Sequence, residues 1–240
     1  MWKRICFTWA LAVFLPGSTA HLLATPAGTR VAGQVTYTGP VSKPKAFDLS
    51  KEPVCAKLHA GDPLYPETLL VGADNGLRNV VVYVSQGAPP SGPAPANSVL
   101  FDQVDCHYAT HVLVFRVGQE VKIANGDPLS HNIHPLARIN REWNKIQPPG
   151  TPPFSYSYQA PEIIPVKCNI HPWMHGYFVV LNTSFYAITG EDGHFELPEL
   201  PPGQYTLTAW HELLGTQTRE ITVGSGGESQ TVNFTFSNKP

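Results

Sequence analysis

The sequence has few charged residues and almost no methionine. Charged side chains make up 14% of its 240 residues, and the formal net charge is −2. This mildly acidic balance argues against nucleic acid as a partner. The two methionines are Met1 and Met174, so the chain carries no methionine-rich metal-binding tract. No apolar run after residue 20 is long enough to span a bilayer.

Motifs of hydrolytic enzymes are also missing. The sequence contains neither G-x-S-x-G nor H-E-x-x-H, and no two histidines are separated by a single residue. Paired histidines of that kind are needed to assemble a cluster of several copper ions. These absences predict that the protein is not an enzyme.

Proline and glycine, in contrast, are abundant, with 24 and 20 residues. Short alternating or β-branched runs, such as 30–37, 77–84 and 108–116, are separated by turn signals at roughly ten-residue intervals. This pattern predicts an all-β chain of sandwich or barrel type, with one short helical turn around 53–59.

The N-terminus has the features of a secretory signal. Lys3 and Arg4 precede the apolar run 5–15, and Ser18-Thr19-Ala20 offers small residues for cleavage. We therefore expect residues 1–20 to be a signal peptide and the mature protein to be periplasmic or secreted, without an integral membrane span. Its removal makes the net charge two units more negative. An uncleaved N-terminal anchor is the alternative.

Export places the cysteines in an oxidising compartment. Cys55 and Cys106 are then expected to form a disulfide. The alternative is a second metal site, because Cys55 lies four residues before His59 and Cys106 lies five before His111.

The richest motif is C-x2-H-x2-M, formed by Cys168, His171 and Met174. It places a thiolate, an imidazole and a thioether on one short loop. Two imidazoles, a thiolate and a weak axial thioether are the ligands of a blue-copper site, so one further histidine is required. His131 and His134 are both available, but they are three apart on a predicted strand and face opposite sides.

Together, H-N-I-H at 131–134 and the Cys168–Met174 loop resemble the cupredoxins, the amicyanin-like blue-copper proteins in particular. The resemblance covers residues 97–182 and implies a Greek-key β-sandwich with one type 1 copper site. The implied ligands are His131, Cys168, His171 and axial Met174, with Asn132 hydrogen bonded near the thiolate. The implied function is single-electron transfer with a redox partner protein. His171 would lie near an apolar surface patch, with Trp173 either in that patch or packed inside.

The sequence after Leu181 resembles carboxypeptidase regulatory-like domains, which are small prealbumin-type sandwiches. Asp192-Gly193-His194-Phe195 and Leu200-Pro201-Pro202-Gly203-Gln204-Tyr205 carry this resemblance. The early strands of such domains lie instead near the N-terminus, at 33–37 and 77–83. We therefore expect 28–90 and 183–236 to form one discontinuous sandwich into which the copper domain is inserted. Two domains in series are the alternative.

Two other functions fit the same residues. One is non-redox copper binding or delivery, and the other is a structural or carbohydrate-associated binding module with a vestigial copper loop. His175 and His211 are expected to be exposed rather than to take part in a site.

Overall fold

A computed structural model describes residues 28–238; the predicted signal peptide lies outside the described residues. The prediction of an all-β chain is confirmed. Over the N-terminal part the elements are β1 (Val31–Tyr37), α1 (Pro53–Leu58), a 3-10 turn (Ala73–Asn75) and β2 (Val81–Gln86). The central strands are β3 (Val99–Val104), β4 (His107–Tyr108), β5 (Val112–Arg116), β6 (Glu120–Asn125), β7 (His131–Pro135), β8 (Lys145–Gln147), β9 (Phe154–Ser157), β10 (Glu162–Lys167) and β11 (His175–Leu181). The C-terminal strands are β12 (Tyr186–Ile188), β13 (His194–Glu196), β14 (Gly203–His211), β15 (Gly215–Val223), β16 (Gln230–Thr231) and β17 (Phe234–Phe236).

Strands from both ends of the chain share two sheets. One sheet has the order β13-β1-β16, with β17 also paired to β1, and the other has the order β12-β2-β14-β15. We call this pair of sheets the split sandwich. Its core includes Val35, Leu77, Leu207 and Phe234, which are all fully buried. The N-terminal strands β1 and β2 are thus central members of sheets whose other strands all follow residue 185.

The split sandwich requires a residue without a side chain at Gly33 in β1. A Cβ atom at Gly33 would lie 1.8 Å from the carbonyl oxygen of Val232. Only glycine lets the two backbones approach this closely. The G-x-V start of β1 therefore reflects its packing against the segment that leads into β17.

All strands between β2 and β12 form the other two sheets, with orders β5-β11-β10-β7-β8 and β4-β3-β6-β9. We call this unit the continuous sandwich. Its parallel pairs, β3 with β6 and β5 with β11, join strands that are not sequence neighbours, as a Greek-key connection requires. Phe101, Phe115, Ile164 and Phe178 are fully buried in its core.

The two sandwiches pack against each other through apolar side chains. Val81 and Trp210 of the split sandwich form one buried cluster with Val112, Val179 and Leu181 of the continuous sandwich. Each of these side chains is at most 9% exposed. Apolar burial of this kind holds the two units in contact.

A segment before β2 packs on the continuous sandwich instead of the split one. This covering segment (residues 47–64) contains α1, and its Phe47 N–H donates to the Leu64 carbonyl at 2.9 Å. A disulfide joins its Cys55 to Cys106, closing a sequence separation of 51 residues. Constraining a loop of this length stabilises the fold by about 4 kcal/mol. Within the described residues no helix is long and apolar enough to cross a membrane.

Candidate metal centre

The loop 168–174 connects two hydrogen-bonded strands. Antiparallel pairing of β10 with β11 ends at Lys167 opposite His175. The Cys168 N–H donates to the Met174 carbonyl, and the Met174 N–H donates to the His171 carbonyl, both at 3.0 Å. These bonds close the loop and fix the positions of its three candidate ligands.

The neighbouring strand β7 supplies the fourth candidate. Its pairing with β10 places His134 opposite Lys167, so His131 runs alongside the loop. His131 is 0% exposed. His134 contacts Asn169 Oδ1 at 3.2 Å and Glu142 Oε1 at 2.7 Å. The structure therefore brings His131, and not His134, to Cys168.

The donor atoms of His131, Cys168 and His171 all lie within 4.8 Å of one another. The two Nδ1 atoms of the histidines are 2.9 Å apart, and Cys168 Sγ is 3.8 Å from His171 Nδ1. The three residues are 0%, 2% and 1% exposed. A thiolate and two imidazoles thus converge in a place that water does not reach.

Met174 lies next to this group in the core. It is 1% exposed and belongs to the same buried cluster as Cys168 and Phe178. Trp173 packs inward as well, because its indole N–H donates to the Cys106 carbonyl at 2.9 Å. Its ring centroid is 5.2 Å from that of His171.

Asn132 ties the upstream strand to the ligand loop. Its side-chain Oδ1 accepts from the Asn169 N–H at 2.6 Å, and its Nδ2 donates to Asn144 Oδ1 at 2.6 Å. Its backbone N–H lies 3.5 Å from Cys168 Sγ. The side chain therefore holds the residue after the cysteine, while the backbone donates to the sulfur itself.

Asp127 is a site residue that the sequence analysis missed. Its Oδ2 lies 2.7 Å from His131 Nε2 and accepts from the Cys106 N–H at 2.8 Å, while Oδ1 accepts from the Asp105 N–H. A carboxylate at Nε2 fixes the imidazole with Nε2–H donating, which leaves the Nδ1 lone pair for a metal. Asp127 stands in Asn125-Gly126-Asp127-Pro128, whose composition by itself indicates only a turn, so the sequence gives no sign of its contact with His131.

Electrostatics favour the metal-binding forms of Cys168 and His171. Burial lowers the pKa of His131, but its hydrogen bonds with Asp127 and Cys168 outweigh burial and raise the pKa above its ordinary value. Burial raises the pKa of Cys168, but hydrogen bonds from His131 and from backbone N–H groups outweigh it, and the pKa lies below its ordinary value. Burial also lowers the pKa of His171, and the neighbouring charge of His131 lowers it further. A thiolate and a neutral imidazole are the forms that bind metal.

The outer side of His171 is covered. Its Nε2 lies 3.9 Å from Glu52 Oε2, and the Glu52 side chain is 39% exposed. The covering segment therefore stands between His171 and solvent, where the cupredoxin resemblance implies an apolar surface patch. Among the described residues, Glu52 is the charged side chain that lies next to the outer nitrogen of His171.

The alternative second site on Cys55 and Cys106 is not formed. Both sulfurs are in the disulfide, and the ring nitrogens of His59 contact the Asp62 and Asp105 carbonyls at 2.9 and 2.7 Å. The expectation of an exposed His211 is wrong. It is 1% exposed, and burial lowers its pKa to about 4. Its ring packs beside Phe236 of the split sandwich, and its Nδ1 lies 3.3 Å from the Leu213 N–H.

The donor set fits a thiophilic transition metal. Soft thiolate and thioether ligands select copper over hard cations, and imidazole suits copper as well. The sequence and the contacts agree that His131, Cys168 and His171 would bind it, with Met174 beside them. The outer contacts of Asp127 and Asn132 are of the kind that orient metal ligands.

Comparisons with known proteins find one family and two kinds of solved structure that parts of this chain resemble. Residues 175–237 match the family model of the carboxypeptidase regulatory-like domain, and no curated protein matches the chain. Among solved structures, amicyanin from Paracoccus versutus is 19% identical, with a TM-score of 0.32 over 42% of this chain and 97% of its own. The Cu-containing nitrite reductase from Thermus scotoductus is 22% identical, with a TM-score of 0.33 over 41% of this chain and 25% of its own. The chain thus combines a carboxypeptidase regulatory-like segment with similarity to cupredoxin structures.

Proposed function

We propose that this protein transfers single electrons through one mononuclear type 1 (blue) copper site. The observation that carries the proposal is the convergence of His131, Cys168 and His171, whose donor atoms lie within 4.8 Å of one another and are buried. Met174 is proposed as the weak axial ligand. Copper, when bound, supplies the one-electron redox couple.

The protein's part is to hold the ligands still. His131 is anchored by Asp127, and the ligand loop is anchored by its own backbone bonds and by Asn132. Ligands that do not move when the metal changes charge keep the reorganisation small. Burial excludes water, which would otherwise bind and require rearrangement at each electron transfer.

The same burial favours electron transfer over the other functions. A delivery protein must release its metal through accessible ligands, and an enzyme needs an open coordination position for substrate. Here each of the three donor residues is at most 2% exposed. We therefore propose a non-enzymatic carrier with a redox partner protein, approached across Glu52 and the covering segment.

We also infer an insertion of the copper domain, residues 97–182, into a regulatory-like sandwich made of 28–90 and 183–236. Pairing of β1 and β2 with strands that follow residue 185 supports this division. Export to the periplasm or the exterior is proposed from the signal-like N-terminus and is consistent with the Cys55–Cys106 disulfide.

The direct test is an optical spectrum of the purified mature protein after addition of Cu(II). Thiolate ligation in a trigonal site should give one intense blue charge-transfer band per chain, lost on reduction with ascorbate. Cys168→Ser should give none, because the charge-transfer donor is gone. A colourless wild-type protein that binds zinc stoichiometrically at Cys168 would refute the blue-copper proposal.

Asp127→Asn is expected to weaken copper binding without preventing folding. In wild type, His131 and the backbone N–H groups of Asp105 and Cys106 face a carboxylate. Asparagine keeps one acceptor oxygen but places an NH₂ group against one or more of these donors, so His131 is held less firmly. Loss of such an outer contact costs about 10–100-fold in metal affinity. Competition with a copper chelator measures this. Asp102→Asn is the matched control, because the Asp102 carboxylate bonds to the adjacent Gln103 N–H; equal affinities in both variants would remove Asp127 from the site.

A further inference from the structure

A second cluster of metal-ligating side chains lies outside the proposed copper site. Donor atoms of His111, His175 and Glu212 are all within 4.8 Å of one another. His111 Nε2 contacts Glu212 Oε1 directly, and these side chains are 3% and 5% exposed. Glu67 Oε2 lies 3.7 Å from His111 Nδ1. Two imidazoles and two carboxylates are therefore gathered in a largely buried place.

The hydrogen bonds give the two imidazoles suitable orientations. The His175 Nδ1–H donates to the Trp173 carbonyl at 3.1 Å. The Nε2 lone pair, which lies 3.5 Å from the Thr68 hydroxyl oxygen, is then the atom that a metal would take. His111 has a carboxylate on each side. In the structure the Nε2–H of His111 faces the Glu212 carboxylate. Metal binding would release a proton and leave His111 with Nδ1–H on the side of Glu67, so that Nε2 and Glu212 bind the same ion. A carboxylate behind a ligating histidine is the usual arrangement at protein metal sites.

The cluster also adjoins empty space of the right size. A cavity of about 20 Å³ is lined by Glu67, His111 and His175, among other residues, on the side of the cluster away from Glu212, which does not line it. A volume of roughly this size holds one water molecule. Three protein ligands plus a water complete a tetrahedral coordination.

We propose that His111, His175 and Glu212 bind a divalent first-row transition-metal ion, with Glu67 orienting His111. Imidazole and carboxylate without thiolate suit Zn²⁺ and similar borderline ions rather than Ca²⁺ or Mg²⁺. This site is distinct from the blue-copper site in its ligands and does not depend on it.

The ion would connect the two sandwiches. Glu212 follows β14 of the split sandwich, whereas His111 precedes β5 and His175 begins β11 of the continuous one. His175 is also the residue after Met174. A metal at this place therefore fixes the split sandwich to the end of the copper ligand loop, which gives the split sandwich a role in holding the redox site.

The rival explanation is a buried histidine–carboxylate pair without metal. The chain contains a histidine–carboxylate pair in a more exposed place, His134 with Glu142 at 2.7 Å, whose Glu142 side chain is 54% exposed. No second histidine joins that pair in any metal-ligating group of the described residues. Glu142→Gln is therefore the control for Glu212→Gln.

The experiment measures Zn²⁺ bound per chain, by equilibrium dialysis of the metal-free full-length mature protein. Wild type should bind two equivalents, because Zn²⁺ also accepts the ligands of the copper site. Cys168→Ser should lose one, Glu212→Gln should lose the other, and Glu142→Gln should keep both. Affinity at the second site should fall more than the roughly 10–100-fold caused by losing an outer contact.

The outcomes separate the two proposals. The Zn²⁺ equivalent that Cys168→Ser loses tests the ligands of the copper site, and the equivalent that Glu212→Gln loses tests the second site. Zn²⁺ binding that is the same in Glu212→Gln and in Glu142→Gln overturns the second site. His175→Gln is the second variant, and circular dichroism of both variants checks folding. In folded protein, the Zn²⁺-dependent rise in Tm should be larger in wild type than in either variant, because both variants keep only the Cys168 site.

Discussion

His131→Ala should lose the blue absorption entirely, whereas His134→Ala should retain it. The two histidines lie three residues apart on β7, but only His131 has its Nδ1 beside the His171 Nδ1, at 2.9 Å. Removing one of three strong ligands leaves an incomplete trigonal site. Removing His134 breaks only contacts with Asn169 and Glu142, away from Cys168.

The measurement is the visible spectrum of each variant after addition of one equivalent of Cu(II). Exogenous imidazole provides a further control, because it can enter the space left by His131→Ala and should partly restore the colour. It should have no effect on His134→Ala. Loss of colour in His134→Ala with retention in His131→Ala would shift the ligand to the other face of β7 and contradict the proposed site.

The candidate ligand loop can be predicted from the sequence because its residues are close together in the chain. Spacing alone places Cys168, His171 and Met174 on one loop, and the strand alternation shows that His131 and His134 face opposite sides. The choice of His131 came from the cupredoxin resemblance. The structure shows the physical reason for that choice, namely that pairing with β10 carries His131 alongside the loop.

What the sequence could not show depends on contacts between distant segments. Asp127 looks like a turn residue until Cys106 and Asp105 are seen to donate to the carboxylate that holds His131. The covering segment over His171 is likewise invisible locally. The predicted disulfide is the one feature of the sequence that indicates where the covering segment packs. Because Cys55 must approach Cys106, α1 is brought toward the continuous sandwich.

His211 and His175 show the same limitation. His211 ends a strand and His175 follows Met174, so local pattern favours exposure for both. His211 lies on the face of β14 opposite Trp210, where it packs beside Phe236 of the split sandwich, while Glu212 reaches His111. Turn spacing and strand alternation are enough to predict the fold class. They do not predict which strand faces form the interface, because that depends on how the two sandwiches pack together.

Met174→Leu should keep the blue colour and raise the reduction potential. The three strong ligands remain, and removal of a weak donor destabilises the more highly charged Cu(II) form. For a one-electron couple, each tenfold loss of preference for Cu(II) raises the potential by about 59 mV. Because Met174 is 1% exposed and leucine is of similar volume, the stability cost should stay under about 1.5 kcal/mol. Potentiometric titration and chemical denaturation measure the two effects.

Ile164→Val separates an axial role from simple repacking. Ile164 is fully buried in the same core cluster as Met174, and its substitution should cost about 0.5–1.5 kcal/mol of stability while leaving the potential unchanged. If Met174 has no contact with copper, Met174→Leu should likewise lower the stability a little and leave the reduction potential unchanged. An unchanged potential in Met174→Leu would therefore make Met174 a packing residue and leave a three-ligand site. A raised potential in Met174→Leu alone would establish the fourth ligand, because the two variants perturb one core and differ only in proximity to the metal.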